Sequence, residues 1–181
     1  MKLYIISGPS GCGKNTVYDA VAKRCPGVTQ TVSATTRKPR DGEKEGVDYY
    51  FLSNDEFERL VAENEFVEYV RYGGNCYGTL KRELKRLDEM SMRIVLVIEV
   101  TGAENIKKQY PEAKSIFLMP PSLEELRRRL TERGQNTPEE AQRRMEIAEE
   151  EMKYSSEYDY CVVNGELEDC IRRVGEIIMT D

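Results

Sequence analysis

Apolar and polar positions switch between two periods along this chain, and the switches mark its elements. Residues 2–7, KLYIIS, are a short apolar run that reads as a strand running into a glycine-rich turn. A helix is expected from about Lys14 to Arg24, stopped near Pro26-Gly27. Residues 28–33 read as a strand and 34–48 as a polar, basic loop. Ser53-Asn54-Asp55-Glu56 is a capping box that opens a helix to about Asn64. FVEYVRY (66–72) alternates as a strand, and Gly73-Gly74 suits a tight turn. A helix over 80–90 precedes IVLVIEV (94–100), a β-branched run of the kind buried on both faces. A helix over 102–109 and a strand over 114–119 follow. Ser122-Leu123-Glu124-Glu125 is a second capping box, for a helix to about Arg133. Thr137-Pro138 sets an N-cap with proline at the first helical position, for a charged helix to about Tyr154. A strand over 159–163 and a helix from about Leu167 close the chain.

Strand and helix alternate, with parallel-type strands at both ends of the sequence. That pattern implies one α/β domain over 1–181, a central, mostly parallel sheet flanked by helices on both faces. The alternation breaks over 34–80, which reads as a small inserted subdomain, and again over 126–154, which reads as a helical lid. The core is then about 1–33, 81–125 and 155–181. No internal repeat or low-complexity linker interrupts it.

Composition narrows the chemistry. The chain has 181 residues, is one-third charged and carries a net charge of −6, which argues against general affinity for nucleic acid or membranes. No apolar run reaches spanning length. Five cysteines without a C-x-x-C pair fit reduced thiols in a cytoplasm. Histidine is absent, so Ser-His and Cys-His mechanisms and His-ligated metals are excluded. Chemistry falls to Lys, Arg, carboxylates, hydroxyls, backbone amides and a hard cation held by oxygen.

Residues 8–16, GPSGCGKNT, supply a phosphate cradle: Gly8, Pro9, Ser10, Gly11, Cys12, Gly13, Lys14, Asn15 and Thr16. The glycines let backbone amides turn inward around a phosphate, and the helix behind adds its positive end. Lys14 brings a mobile charge to the β- and γ-phosphates. Where the pattern expects a magnesium-binding hydroxyl stands Asn15, whose carbonyl is a weaker donor; Thr16 is next. Either residue would hold magnesium weakly, through water. Cys12, inside the loop, is a candidate for regulation if its thiol is exposed.

Four further segments, SATTRKPRDGEKEGVDYYFLS (33–53), FVEYVRYGGNCYGT (66–79), MPPSLEEL (119–126) and VVN (162–164), together with the loop, resemble the guanylate kinase family along nearly the whole chain. The resemblance implies a P-loop NTPase fold in which 34–80 binds GMP. It also implies that Arg37, Arg40, Tyr49 and Tyr77 hold the GMP phosphate, a task suited to two guanidiniums and two hydroxyls. Glu68 would read guanine, helped by Ser33 and Thr79. A carboxylate accepts from both N1–H and the 2-amino group, whereas adenine offers an acceptor at N1. Such a site can reject the wrong partner by about 10⁴-fold. Glu99, at the end of strand 94–100, would join the base site. The family usually carries two aspartates here, and this chain has Val97 and Glu99, which thins its hold on a cation.

In the same resemblance Arg133 and Arg144 close over the transferring phosphoryl group and act with Lys14 in catalysis. Asn164 lies near the ATP adenine. The other arginines of 126–144 read as a salt-bridged helix face, with Glu124 and Glu125 pairing Arg128 and Arg129. The implied activity is ATP plus GMP to ADP plus GDP with Mg²⁺, accepting dGMP as well, in a monomer or homodimer. Two alternatives stand beside it: a binding module without turnover, and a kinase for another phosphorylated acceptor such as a sugar phosphate.

Overall fold

The computed structural model describes residues 1–72, 74–132 and 138–180. In chain order the elements are β1 (Lys2–Ser7), α1 (Lys14–Arg24), β2 (Val28–Gln30), β3 (Ala34–Thr35), β4 (Tyr50–Phe51), α2 (Asn54–Ala62), β5 (Phe66–Tyr72), β6 (Asn75–Leu80) and α3 (Lys81–Glu89). There follow β7 (Arg93–Val97), α4 (Val100–Gln109), β8 (Lys114–Met119), α5 (Leu123–Glu132), α6 (Pro138–Met152), a 3₁₀ turn (Lys153–Glu157), β9 (Tyr160–Val163) and α7 (Leu167–Met179).

Five strands form an all-parallel sheet in the order β2-β7-β1-β8-β9. Period-two alternation along β1 divides its side chains between two cores. Tyr4 and Ile6 pack with Val17, Val21 and Val174 from α1 and α7; Leu3 and Ile5 pack with Leu84, Leu87 and Ile106 from α3 and α4. Ile5, Ile6, Ile94 and Leu96 are fully buried, each contributing roughly 1.5–3 kcal/mol. A surface ion pair such as Arg59–Glu63 is worth about 0–1 kcal/mol, so the sheet's two faces decide the fold.

Residues 34–80 supply a second sheet, β4-β3-β6-β5, with α2. Its own core is Ala34, Phe57, Leu60, Phe66 and Leu80, with the Phe57 and Phe66 rings stacked at 4.4 Å. Helices α5 and α6 pack through Leu126, Leu130, Met145 and Ala148.

Both capping serines act as their sequence indicates. Ser53 Oγ accepts from Glu56 N–H at 3.2 Å and Ser122 Oγ from Glu125 N–H at 3.1 Å. Other boundaries shift. The expected strand over 94–100 ends at Val97, because Glu99 takes the extended N-cap conformation of α4, which starts at Val100 rather than 102. The expected strand over 28–33 stops at Gln30, and the chain then crosses to the second sheet, so the expected loop 34–48 begins with β3. The charged helix expected to reach Tyr154 tightens into 3₁₀ geometry after Met152. Gly74 has φ +77, as a tight turn requires; Gly73 and Thr137 lie outside the described residues.

Candidate functional site: two pockets meeting at one strand end

The phosphate loop leaves the sheet at the carboxyl end of β1, with β7 on one side and β8 on the other. This is the crevice where open α/β sheets bind ligands. Only glycine fits at two of its positions. A Cβ on Gly8 would meet the Leu118 carbonyl oxygen at 2.3 Å, and Gly13 has φ +93 with the Asn164 amide 2.6 Å from where its Cβ would lie. Asn164 is buried and donates from Nδ2 to the Cys12 carbonyl at 2.8 Å. It is therefore a brace for the loop as well as part of the cleft formed with Gly11, Thr16 and Arg129. The Cys12 side chain turns into the core beside Tyr4 and Val17. Burial, opposed by Lys14, pushes its thiol up to about 11, so it stays protonated at neutral pH.

Lys14 Nζ donates to the Gly8 carbonyl at 2.6 Å and to Glu99 Oε2 at 3.2 Å. Ser10, Asn15, Thr16, Val97 and Glu99 line the same cleft. Arg144 of α6 reaches it, with Nη2 donating to Ser10 Oγ at 2.6 Å. Glu151, on the same helix, lies beside Lys14 and Ser10; burial and then the charge of Glu99 push its carboxyl up. Its Oε2 is buried with no hydrogen-bond partner among the described residues. Pro9 is buried in the loop, with its carbonyl accepting from Cys12 N–H at 3.2 Å. Arg133 lies outside the described residues.

A second pocket opens between the two sheets, lined by Ser33, Tyr49, Glu68, Tyr77, Glu99 and Gly102 among others. A β-bulge aims Glu68 into it. Phe66 pairs with Leu80 but Glu68 pairs with Thr79, so one extra residue, Val67, intervenes on β5. Phe66 and Leu80 face the subdomain core, while Glu68 and Thr79 face the other way. Without the bulge Glu68 would share the face of Phe66. Val67 itself packs into the main core. Thr79 Oγ1 donates to Glu68 Oε1 at 2.8 Å, and burial, partly offset by Thr79, raises the Glu68 pKa.

At the pocket's far end Arg37 and Tyr49 come together, with the guanidinium 5.4 Å above the ring and Tyr77 edge-on to Tyr49. Arg37 Nη2 donates to Glu43 Oε1 at 2.8 Å, and Glu43 Oε2 accepts the Arg40 backbone N–H at 2.7 Å. The Arg37 hydrogen bond, then the Arg40 N–H, hold the Glu43 carboxyl below the usual carboxylate range. The Arg40 side chain is exposed at the rim. Glu43 escaped the sequence reading, although its place three residues after Arg40 was a usable signal. Arg129 also escaped it. The expected Glu125–Arg129 pair forms at 2.8 Å, but Arg129 is half-buried, its Nη2 donating to the Asn164 carbonyl at 3.3 Å. Glu99 does not stand on a strand; it touches both pockets and is bonded on the phosphate side.

The cleft's oxygen donors suit a hard divalent cation: the Asn15 amide, the Thr16 hydroxyl and the Glu99 carboxylate. Among the described residues no cluster of three or more His, Cys, Asp or Glu side chains could hold a metal alone. The donor set therefore fits magnesium that arrives with the phosphates and keeps several waters.

A glycine-rich loop with its lysine, facing a second pocket across the end of a parallel sheet, defines a P-loop kinase. The sequence profile of the guanylate kinase family matches residues 1–181. The guanylate kinase of Clostridium perfringens (strain SM101 / Type A) is 39% identical over 179 residues, covering 99% of this chain and 83% of the relative. That of Halalkalibacterium halodurans is 42% identical over 179 residues, covering 99% and 88%. The crystal structure of guanylate kinase from Anaplasma phagocytophilum matches with a TM-score of 0.74 and 34% identity, over 98% of this chain and 84% of that one. The chain belongs to the guanylate kinase family.

Proposed function

We propose that this protein transfers the γ-phosphoryl group of ATP to GMP, giving ADP and GDP. One observation carries the reading. The phosphate-loop cleft and the Glu68 pocket share Val97 and Glu99, so two nucleotides bound in them would meet end to end. Ser33, Glu68 and Thr79 read guanine, while Arg37, Arg40, Tyr49 and Tyr77 clasp the acceptor phosphate. Glu99, between the pockets, takes part from the phosphate side. Gly8 to Thr16 and Asn164 bind ATP.

The acceptor is an ionised phosphate oxygen, so no strong general base is required. Lys14, Arg133 and Arg144 balance the charge of the transferring group, and positioning does the rest. Asn15 and Thr16 would hold Mg²⁺, with Glu99 nearby; the ion neutralises phosphate charge when bound. Five cysteines without disulfides accord with a reducing cytoplasm.

A coupled assay of ADP release with GMP, dGMP, AMP, UMP and ribose phosphate tests the reading. GMP and dGMP should be turned over at least about 10³-fold more efficiently than AMP. Preference for a non-guanine acceptor would overturn the role given to Glu68, and binding of GMP without turnover would make the protein a module rather than a kinase.

A further inference from the structure

Glu83 is a carboxylate in a place built for an apolar side chain. Leu80, Glu83, Leu84 and Leu87 fall at helical spacing, and all four are buried. Only 1% of the Glu83 side chain is exposed. Both of its oxygens are occupied twice. Oε1 accepts the Val32 backbone N–H at 3.1 Å and Arg86 Nη2 at 2.9 Å. Oε2 accepts the Tyr50 hydroxyl at 3.1 Å and Arg86 Nε at 2.9 Å. Burial opposes the charge, but the Arg86, Val32 and Tyr50 hydrogen bonds prevail and hold the carboxyl below its ordinary range. The first turn of a helix also favours an anion.

The partners give this arrangement its meaning. Val32 lies in the crossing from the main sheet to the second sheet and immediately precedes Ser33. Tyr50 immediately follows Tyr49, and its N–H donates to the Ser33 carbonyl at 2.9 Å. Arg82, on the turn that carries Glu83, stands 5.4 Å from the Tyr50 ring. Helix α3 is anchored in the main core through Leu84 and Leu87. One buried anion thus joins the main core to both segments that present Ser33 and Tyr49 to the second pocket.

We propose that Glu83 is a positioning residue for the acceptor nucleotide, setting the spacing between Ser33 at the base end and Tyr49 at the phosphate end. A purely structural ion pair needs only Arg86. The bonds to Val32 and Tyr50, on two separate segments of the chain, are what align the pocket. The inference rests on reading that pocket as the GMP site.

The test is steady-state kinetics of Glu83→Gln and Tyr50→Phe with both substrates varied, and Arg37→Ala measured alongside. Gln keeps one acceptor and loses the charge; Phe removes one arm and leaves the Glu83–Arg86 pair intact. Glu83→Gln should raise KM for GMP roughly tenfold, the loss of about one buried charge-assisted bond, with KM for ATP and kcat within about twofold. Tyr50→Phe should shift KM for GMP in the same sense by about threefold, and decides the matter if Glu83→Gln fails to fold. An unchanged KM for GMP in the folded variants overturns the proposal. So does a parallel loss in kcat and both KM values, which marks a general structural role. If Arg37→Ala also leaves KM for GMP unchanged, the pocket reading itself has failed; if Arg37→Ala raises it and the other two do not, only the role of Glu83 has.

Discussion

Lys14 Nζ stands 3.2 Å from Glu99 Oε2, and this ion pair spans the seam between the two pockets. The same ammonium donates to the Gly8 carbonyl of its own loop, so without nucleotide it is held by oxygens that stand in for phosphate. Glu99 is more than half exposed, so water screens the pair and Lys14 can leave it for a more highly charged ligand.

Lys14→Met should lower kcat by about 10²–10³-fold, the usual cost of removing one donor aimed at developing charge. GMP affinity by calorimetry should change little, because Lys14 is absent from the lining of the second pocket.

Glu68→Gln should separate activity from stability. It should reduce kcat/KM for GMP by about 100-fold, since an amide presents a donor to one of guanine's two donors. Burial raises the Glu68 pKa in the folded protein, so between the ordinary carboxylate value and the raised one the native state binds more protons than the unfolded chain. Stability therefore falls as pH rises through that window, and above it the ionised carboxylate costs the fold. The variant should melt higher at pH 7, by about 2–4 °C for each kcal/mol recovered, and the gain should shrink toward pH 4 in a melting series.

How much of this site was legible beforehand differs residue by residue. The loop from Gly8 to Thr16 was, because its spacing is dictated by the phosphate it encloses. Glu68 is pointed to by the family resemblance, and it does line the second pocket, but alternation along its strand does not put it there. Strict alternation puts Glu68 on the face of Phe66, and only the bulge at Val67 reverses it. A bulge is fixed by packing on both sheets at once, so a single strand's sequence does not announce it. Strands β3 and β4 were missed for a related reason. They are two residues each and exist only through partners far along the chain, Ala34 with Gly78 and with Tyr50. Glu83 left a signal that was passed over, a carboxylate in register with three leucines.

Asn15→Ser should lower the magnesium concentration that gives half-maximal rate, by about three- to tenfold, because a hydroxyl in the first turn of α1 replaces a weaker amide donor. An unchanged titration would mean that Thr16 or water already fills the position.

Asn164→Ala should destabilise the protein by about 1–3 kcal/mol by leaving the Cys12 carbonyl unsatisfied in a buried setting. Thermal melts should show it, and KM for ATP should rise while KM for GMP stays within about twofold, because Asn164 touches only the phosphate-loop side.

Arg144 and Glu151 lie seven positions apart on α6, two turns or about 10 Å along one face, and both meet the phosphate loop. A swing of that helix away from the loop removes a cation and an anion together, so the electrostatic sum at the loop is conserved while its direction changes. Such a movement redistributes charge along the cleft without recharging it.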